Sequence, residues 1–170
     1  DSVRTIRKSG QHLLQLINEI LDLARIESGR LELSIEDVGL AELFAESGSL
    51  VTPLAAGRDV AVQFARKPSA IAVRGDRTRL NQVLVNLLSN AVKYNRRSGS
   101  VVVTALPGGD GMIRIAVADT GAGIPAEKLD QLFTPFNRLG AENTEIEGTG
   151  IGLVIAKRLI EGMGGRIGVE

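Results

Sequence analysis

Apolar residues recur along this chain with two different periods, and these periods predict where helices and strands lie. A spacing of three to four residues, typical of helices packed on one face, covers residues 1–28, 40–57, 76–95 and 151–162. A shorter helix is predicted at 126–132. Alternation or short apolar runs predict strands at 31–35, 60–64, 71–73, 101–106, 112–118 and, beyond Gly164 and Gly165, up to Glu170.

The helix predicted at 76–95 has two distinct faces. Asp76 is a favourable N-cap residue for it. The apolar stripe consists of Leu80, Val83, Leu84, Leu87, Leu88 and Ala91. Four-residue steps place Gln82, Asn86 and Asn90 on a different face, which Lys93 and Tyr94 continue.

The first helix has an apolar surface that is too broad for a helix resting on one small domain. Leu13, Ile17, Ile20 and Ala24 recur at helical spacing, and neighbouring leucines widen the surface. We therefore expect this helix to belong to a helical bundle, completed by another chain or by a segment outside this sequence.

Helices interrupt the predicted strands, and residues 101–106 and 112–118 form a hairpin across the glycine-rich loop 107–111. This order predicts an α+β fold. In detail we expect an α/β sandwich with a mixed, mostly antiparallel sheet that helices cover on one face, preceded by one long N-terminal helix.

Composition narrows the function classes. The 170 residues include 44% hydrophobic residues, which is typical of a globular domain. Twenty Lys and Arg balance twenty Asp and Glu, and aromatic residues make up only 3%, so nucleic acid is not expected as a partner. The chain has no cysteine, which excludes disulfides and thiolate metal sites. No apolar run reaches the roughly 20 residues of a membrane span, and Asp1 rather than Met suggests a piece of a longer protein.

Asn86 and Asn90 lie one helical turn apart, so their amides project from the same face. An amide oxygen is a neutral, hard ligand that can accept Mg²⁺ while phosphates supply the negative oxygens. Lys93 adds a cation and Tyr94 adds a flat ring that can lie beside a base. A plain solvated stripe on a helix explains the same pattern about equally well.

Two glycine-rich segments follow this helix. Residues 119–123 (DTGAG) come after a predicted strand, so the Asp119 carboxylate sits at a strand end and can accept an exocyclic amine of adenine. Its glycines allow close backbone approach and positive φ. A simple glycine turn is one alternative. An aspartic protease is another, but it requires an all-β fold, which the helices oppose.

The second glycine-rich segment, residues 148–153 (GTGIGL), opens a helix, where exposed N–H groups favour a phosphate. It lacks the Lys of a Walker A loop and the preceding strand of a dinucleotide site. Between the two segments, Phe133 and Phe136 can pin the base of a loop or simply pack in the core, and Arg138 can reach a phosphate. His12, the only histidine, is expected to be an ordinary helix-surface residue.

These segments, in this order, resemble the catalytic and ATP-binding domain of two-component sensor histidine kinases, and with it the wider ATPase group of DNA gyrase, mismatch-repair ATPases and heat-shock chaperones. The N box is similar to residues 81–95 (NQVLVNLLSNAVKYN), the first glycine box to DTGAGIP, the F box to LFTPFNR and the second glycine box to GTGIGL. The first helix resembles the second helix of the family's dimerisation hairpin. The first helix of that hairpin, which carries the phosphoacceptor histidine, is absent, and the closing strand is expected to be cut off at Glu170.

The resemblance implies the role of each site residue. Asn90 would hold Mg²⁺, with Asn86 supporting metal and phosphates, Lys93 on phosphate and Tyr94 near adenine. Asp119 would recognise the adenine amine, and Gly121 and Gly123 would shape that end. Residues 137–149, including Arg138, would form a lid over ATP. The phosphate end would be formed by Gly148, Thr149, Gly150, Gly152 and Leu153.

The resemblance also implies the organisation and partners. Residues 1–29 would be the second helix of the hairpin, and residues 30–170 the ATP-binding domain. ATP and Mg²⁺ would be bound, and the acceptors would be a histidine outside this chain and then a response-regulator aspartate. The full-length protein would be a homodimer, this domain would be cytoplasmic, and any membrane anchor would lie in segments absent here. No catalytic residue is expected within the chain, and His12 is not expected to be the acceptor.

The sequence leaves two alternative functions to consider. A gyrase- or chaperone-like ATP-driven clamp needs a glutamate near the N box to activate water, and positions 83–86 offer Val, Leu, Val and Asn. A degenerate domain that serves only for dimerisation is disfavoured because Asn90, Asp119 and both glycine-rich segments are intact.

Overall fold

Four α-helices and five strands make up the part of the chain that the computed structural model describes, residues 2–65, 71–140, 146 and 148–170. The helices are α1 (Ser2–Glu27), α2 (Leu40–Arg58), α3 (Arg77–Lys93) and α4 (Gly152–Gly162), with a 3₁₀ helix at Ala126–Gln131. The strands are β1 (Glu36–Gly39), β2 (Ala61–Phe64), β3 (Ala72–Gly75), β4 (Ser100–Gly109) and β5 (Met112–Asp119). None of the helices in these ranges is long and apolar enough to cross a bilayer.

The strands form two small sheets. β1 pairs antiparallel with β3, while β4 pairs in parallel with β2 and antiparallel with β5. The predicted α+β class, with mixed pairing and a long N-terminal helix, is confirmed. The hydrogen-bonded ladders of the described residues divide into two sheets, where the sequence had suggested one. The register of the hairpin places Asp119 opposite Val101, so Asp119 lies where β4 begins.

The larger core lies between α2, α3 and the strands. Val101 and Val103 of β4 and Leu88 of α3 are fully buried there. α2 continues through Gly48 and Pro53, although both residue types are unfavourable inside a helix. A side chain at Gly48 would come within 2.9 Å of the Phe64 ring, so glycine is what lets that ring pack against the helix.

A second, smaller core joins α1 to α3 and α4. Its buried members include Ile151, Ile155 and Leu159, and the face of α1 that packs against it carries Leu16, Leu23 and Ile26. Five apolar residues in the middle of α1 are between 43% and 60% exposed, as expected of a helix whose apolar surface is broader than this domain covers. These exposed residues are Leu13, Leu14, Ile17, Ile20 and Leu21.

Two strand predictions are wrong. Residues 31–35 are irregular, and the strand begins only at Glu36. Leu31 and Leu33 are half-buried and approach the second core and Gly162, while the Ser34 N–H donates to the Asp76 carboxylate rather than to a strand. The alternation therefore reflects packing of an extended segment. Likewise, residues 165–170 form no strand.

Candidate functional site

α3 is anchored at its start by Asp76. One carboxylate oxygen accepts the Arg79 N–H at 3.0 Å, which is the predicted cap, and the other accepts the Ser34 N–H at 2.9 Å. Burial alone would raise the pKa of Asp76, but these hydrogen bonds and the nearby Arg79 guanidinium outweigh it, so its pKa lies below the ordinary value. The helix that carries the candidate site thus has a defined start.

Asn86 and Asn90 contact each other, and Asn86 also lies against the second glycine-rich segment. The Asn90 side-chain amide donates to Asn86 Oδ1 at 3.3 Å, and both residues are half-buried. A side chain at Gly152, the first residue of α4, would come within 2.1 Å of Asn86 Nδ2. Only glycine therefore lets the start of α4 lie against the Asn86 amide.

Tyr94 lies between the two glycine-rich segments. A Cβ built on Gly121 would be 2.5 Å from the Tyr94 carbonyl oxygen. One built on Gly148 would be 3.8 Å from the Tyr94 hydroxyl and 3.7 Å from Arg138 Nε. The end of α3 thus touches both segments, which brings Asn86, Tyr94, Gly121, Gly148 and Gly152 into one region.

The first glycine-rich segment orients Asp119. The Gly121 N–H donates to Asp119 Oδ1 at 2.7 Å, and Asp119 is exposed at the end of β5. One carboxylate oxygen is therefore used to hold the turn. The other remains directed away from this bond and is suited to accept a hydrogen bond from a ligand.

The second glycine-rich segment is tied to the F-box segment by backbone contacts. Gly150 has φ +73° and lies so close to Phe136 that an added Cβ would be 2.8 Å from its carbonyl carbon. The Phe136 N–H donates to the Gly150 carbonyl at 3.0 Å. Phe136 itself is 59% exposed with φ +62°, so core packing by both phenylalanines is wrong. Phe133 is half-buried, with Lys157 Nζ 4.9 Å from its ring centre.

Thr149 links the second glycine-rich segment to α1. Its hydroxyl donates to the Glu19 carboxylate and accepts the Ile151 N–H at 3.3 Å. Arg138 donates to the Ile146 carbonyl, across the segment expected to be the lid. Residues 141–145 and 147 of that expected lid lie outside the described residues, and its described positions form no helix or strand.

The contacts described above do not reach every predicted site residue. Lys93 ends α3, and its carbonyl accepts from Arg58 Nη1 at 2.9 Å. Gly123 has φ +72° with open space where a Cβ would stand, and Leu153 is half-buried in the first turn of α4. His12 is exposed on α1, as expected of a helix-surface residue.

Two polar residues that sequence reasoning left without a role lie at the same place. Thr120 Oγ1 donates to Asn95 Oδ1 at 3.0 Å and accepts the Ser100 N–H at 2.9 Å. Both residues fall inside the quoted motifs, directly after Tyr94 and Asp119, and this adjacency was the available signal. The contact of Glu19 with Thr149 spans 130 positions, and nothing in the sequence pattern indicates it.

Several known proteins are similar to this chain in sequence. Residues 75–170 match the family model that describes histidine kinase-, DNA gyrase B- and HSP90-like ATPases. The sensor protein GacS of Pseudomonas syringae pv. syringae is 39% identical over 178 residues, covering 100% of this chain and 19% of that protein. The histidine protein kinase DivJ of Caulobacter vibrioides is 37% identical over 165 residues, covering 97% of this chain and 28% of DivJ.

Solved structures are similar over nearly the whole chain. Full-length ShkA in complex with AMPPNP superimposes with a TM-score of 0.85 at 33% identity, covering 99% of this chain and 35% of ShkA. The histidine kinase ThkA in complex with the response regulator TrrA gives a TM-score of 0.73 at 26% identity, covering 99% of this chain and 46% of that chain.

The family match covers more than half of the chain and includes α3, whose end contacts both glycine-rich segments. This match defines the class of protein. The chain belongs to the family of histidine kinase-, DNA gyrase B- and HSP90-like ATPases. The resemblance to sensor histidine kinases drawn from the sequence is confirmed. The chain spans 19% of the length of GacS, so it corresponds to one part of such a protein.

Proposed function

We propose that residues 30–170 are the ATP-binding core of a sensor histidine kinase, which transfers the γ-phosphoryl group of ATP to a histidine outside this chain. A response-regulator aspartate would then receive the group. The observation that carries the proposal is the contact of α3 with both glycine-rich segments, through Gly152 on Asn86 and through Tyr94 near Gly121 and Gly148. A nucleotide carries its base and its phosphates at opposite ends, and these two segments supply a fitting group for each.

At the base end, Asp119 would accept the adenine amine. The bond from the Gly121 N–H leaves one carboxylate oxygen for this purpose. Tyr94, 40% exposed, would lie beside the base, and Gly123 would keep the space there open. A carboxylate prefers an amine donor to the carbonyl that guanine presents at the same position, so this group selects adenine.

At the phosphate end, the start of α4 would bind phosphate oxygens through Gly148, Thr149, Gly150, Gly152 and Leu153, where free N–H groups and the helix dipole favour an anion. Lys93 and Arg138 would add positive charge. The donor set also fits Mg²⁺, because the Asn90 nitrogen is engaged by Asn86 and its amide oxygen is left as a hard ligand. When bound, Mg²⁺ neutralises phosphate charge, and the residues themselves hold the γ-phosphate in place for attack.

The remaining assignments belong to the same proposal. Residues 1–29 would be the second helix of the dimerisation hairpin, and the full-length protein a homodimer. The solved complex of ThkA with the response regulator TrrA supports a receiver domain as partner. A cytoplasmic location is proposed for this domain because ATP and response regulators are found there. A clamp-type ATPase is disfavoured, since residues 83–86 place no glutamate beside the amides.

Calorimetric titration of Mg·ATP into the chain tests nucleotide binding. We expect saturable binding that Asn90→Ala weakens, because this change removes the proposed metal ligand. No binding at roughly 1 mM nucleotide would contradict the proposal, since that corresponds to only about 4 kcal/mol.

Phosphotransfer is tested with the longer protein of which this chain is part and with γ-labelled ATP. We expect acid-labile, alkali-stable label on a histidine outside these 170 residues. Label on His12, label on a glutamate, or steady release of phosphate without any labelled protein would each overturn the kinase assignment.

A further inference from the structure

The end of α3 and the end of β5 are joined by a closed set of hydrogen bonds, here called the Asn95–Thr120 junction. Thr120 Oγ1 donates to Asn95 Oδ1 at 3.0 Å and accepts the Ser100 N–H at 2.9 Å. Asn95 Nδ2 donates to the Ser100 carbonyl at 3.0 Å, and so does the Thr120 N–H at 3.1 Å. The side chains of Asn95 and Thr120 thus both form hydrogen bonds with Ser100, the first residue of β4.

Each polar group of the junction has a partner. Asn95 Oδ1 also accepts the Arg96 N–H at 2.9 Å, so both ends of the Asn95 amide are engaged. Both residues are half-buried. The backbone at Gly99 packs closely against both side chains, because a Cβ on Gly99 would lie 2.1 Å from Asn95 Oδ1 and 2.8 Å from Thr120 Oγ1. Neither side chain can turn without losing several hydrogen bonds.

The two junction residues adjoin the two residues that face the proposed base. Tyr94 precedes Asn95, and Asp119 precedes Thr120. The Tyr94 carbonyl lies against Gly121, whose N–H in turn holds Asp119 Oδ1 at 2.7 Å. The junction therefore sets the position of the Asp119 carboxylate relative to the polar face of α3.

We propose that Asn95 and Thr120 are positioning residues that determine base selectivity: by fixing Asp119 against α3, they make the site accept 6-aminopurine and reject 6-oxopurine nucleotides. The inference rests on the proposed nucleotide binding and deepens it. A carboxylate discriminates between these bases only while its free oxygen is held at the amine position. The hydrogen bonds of the junction given above do not involve the proposed phosphate end, which lies around the start of α4.

The test compares binding of Mg·ATP and Mg·GTP by calorimetry, with the unfolding midpoint of each variant as a check on folding. Thr120→Val keeps the shape of the side chain and removes its hydroxyl. We expect it to weaken ATP binding by about tenfold, the typical effect of one hydrogen bond to a charged group, and to leave GTP binding unchanged. Thr120→Ser restores the hydroxyl and should restore the ATP-to-GTP ratio to within about threefold of the original.

Thr104→Val is the matched control, because Thr104 is a half-buried threonine on β4 opposite Ala116, away from the junction. It should leave the ratio unchanged. Asn95→Ser is an independent second variant with the same expected loss of selectivity as Thr120→Val.

An unchanged ratio in a folded Thr120→Val or Asn95→Ser variant would overturn the inference. Unfolding of both would overturn it too, since the junction would then determine folding rather than base choice. Equal affinity of the original chain for ATP and GTP would overturn the inference and leave phosphate binding intact. Failure of the original chain to bind either nucleotide would instead overturn the proposed function itself.

Discussion

At the scale of single residues, the site depends on where a side chain is absent as much as on where one is present. Gly152 lies against the Asn86 amide, and Gly150 lies against the Phe136 backbone with φ +73°. A glycine at each position lets two segments approach within distances that a Cβ would forbid. The second glycine-rich segment thus fits closely against both α3 and the F-box segment.

Asp119→Asn is expected to weaken ATP binding by roughly 10- to 100-fold, the loss expected for a hydrogen bond to a charged group. Asparagine keeps the oxygen that accepts the Gly121 N–H, so the turn should persist and the unfolding midpoint should stay nearly unchanged. Calorimetry with Mg·ATP measures the effect.

Asp110→Asn makes the same charge change in the turn at the other end of the hairpin, at a left-handed position (φ +49°) that asparagine tolerates. It should leave ATP affinity unchanged. Equal affinities of the Asp119→Asn protein and the original chain would refute the assignment of the base end.

Gly152→Ala is expected to reduce ATP affinity by at least about tenfold, because the new methyl group would displace Asn86 and break its contact with Asn90. The overpacking should also cost about 1–3 kcal/mol of unfolding free energy. Denaturant unfolding and calorimetry measure the two effects.

Gly162→Ala, at the other end of α4, is the matched control. Its Cβ would meet Leu33 Cδ1 at an ordinary 3.5 Å. It should leave ATP affinity unchanged and not lower stability, because alanine is the better helix former. If Gly152→Ala behaved like this control, α4 would not lie against the amides as described.

At the scale of elements, the same local pattern led to different outcomes depending on its partners. The alternation in residues 31–35 pairs with no strand of the described part of the chain, whereas that in 60–64 lies beside β4 and becomes β2. α2 forms despite Gly48 and Pro53 because its apolar face is buried against α3 and the Phe64 ring. Tertiary packing therefore overrode propensity in both directions.

Glu19→Gln tests the contact between α1 and the second glycine-rich segment. The Glu19 carboxylate places a negative charge beside Thr149, at the helix start proposed to bind phosphate. Neutralising this charge is expected to strengthen ATP binding by a factor of about 2 to 5, as for other charges at helix N-termini, and less so at high salt.

Glu27→Gln, an exposed position at the end of the same helix, is the control for a general charge effect and should change affinity little. Titrations at low and high salt compare the two variants. An unchanged or weaker affinity in Glu19→Gln would show that this contact does not oppose phosphate binding.

At the scale of the whole molecule, Asp76 ties together segments that are distant in the chain. Its side chain binds the Ser34 and Arg79 N–H groups, and its own N–H lies 3.2 Å from Met163 Sδ, beyond α4. One residue thus links the segment before β1, the start of α3 and the end of α4. It is 8% exposed, so the ionised carboxylate depends on these bonds.

Stability should therefore depend on pH through Asp76. Its pKa in the folded chain lies below the ordinary value of an aspartate, so its ionised form stabilises the fold above that ordinary value. This contribution should be lost as the pH falls through the folded pKa. Unfolding free energies measured from pH 7 downwards should fall more steeply below about pH 4 in the original chain than in Asp76→Asn.

Asp76→Asn should itself cost about 1–3 kcal/mol at pH 7, because its single oxygen cannot accept both N–H groups as a carboxylate does. Asp37→Asn, an exposed carboxylate on β1, is the control and should change little. Parallel pH profiles for the original chain and Asp76→Asn would contradict the role given to Asp76.

Local patterns were sufficient to predict most elements and to single out the residues of the proposed site. The spacing of apolar residues and the Asp76 N-cap predicted the helices α1 to α4, and the glycine-rich loop before Met112 predicted the hairpin of β4 and β5. These features act within a few residues of the chain. The glycine-rich segments and the amides on α3 were visible for the same reason. The roles assigned to these residues, and those assigned to Lys93, Gly123, Arg138 and Leu153, stay predictions.

The sequence by itself determined the helices, the hairpin and the residue types proposed to face a nucleotide, since apolar spacing, capping and glycine content are local properties. Only the tertiary structure decided which groups meet. The closeness of Gly152 to Asn86, the bond of Thr149 to Glu19 and the Asn95–Thr120 junction all join residues from separate elements. Such contacts depend on how the two cores pack, a property of the whole chain that no local pattern contains.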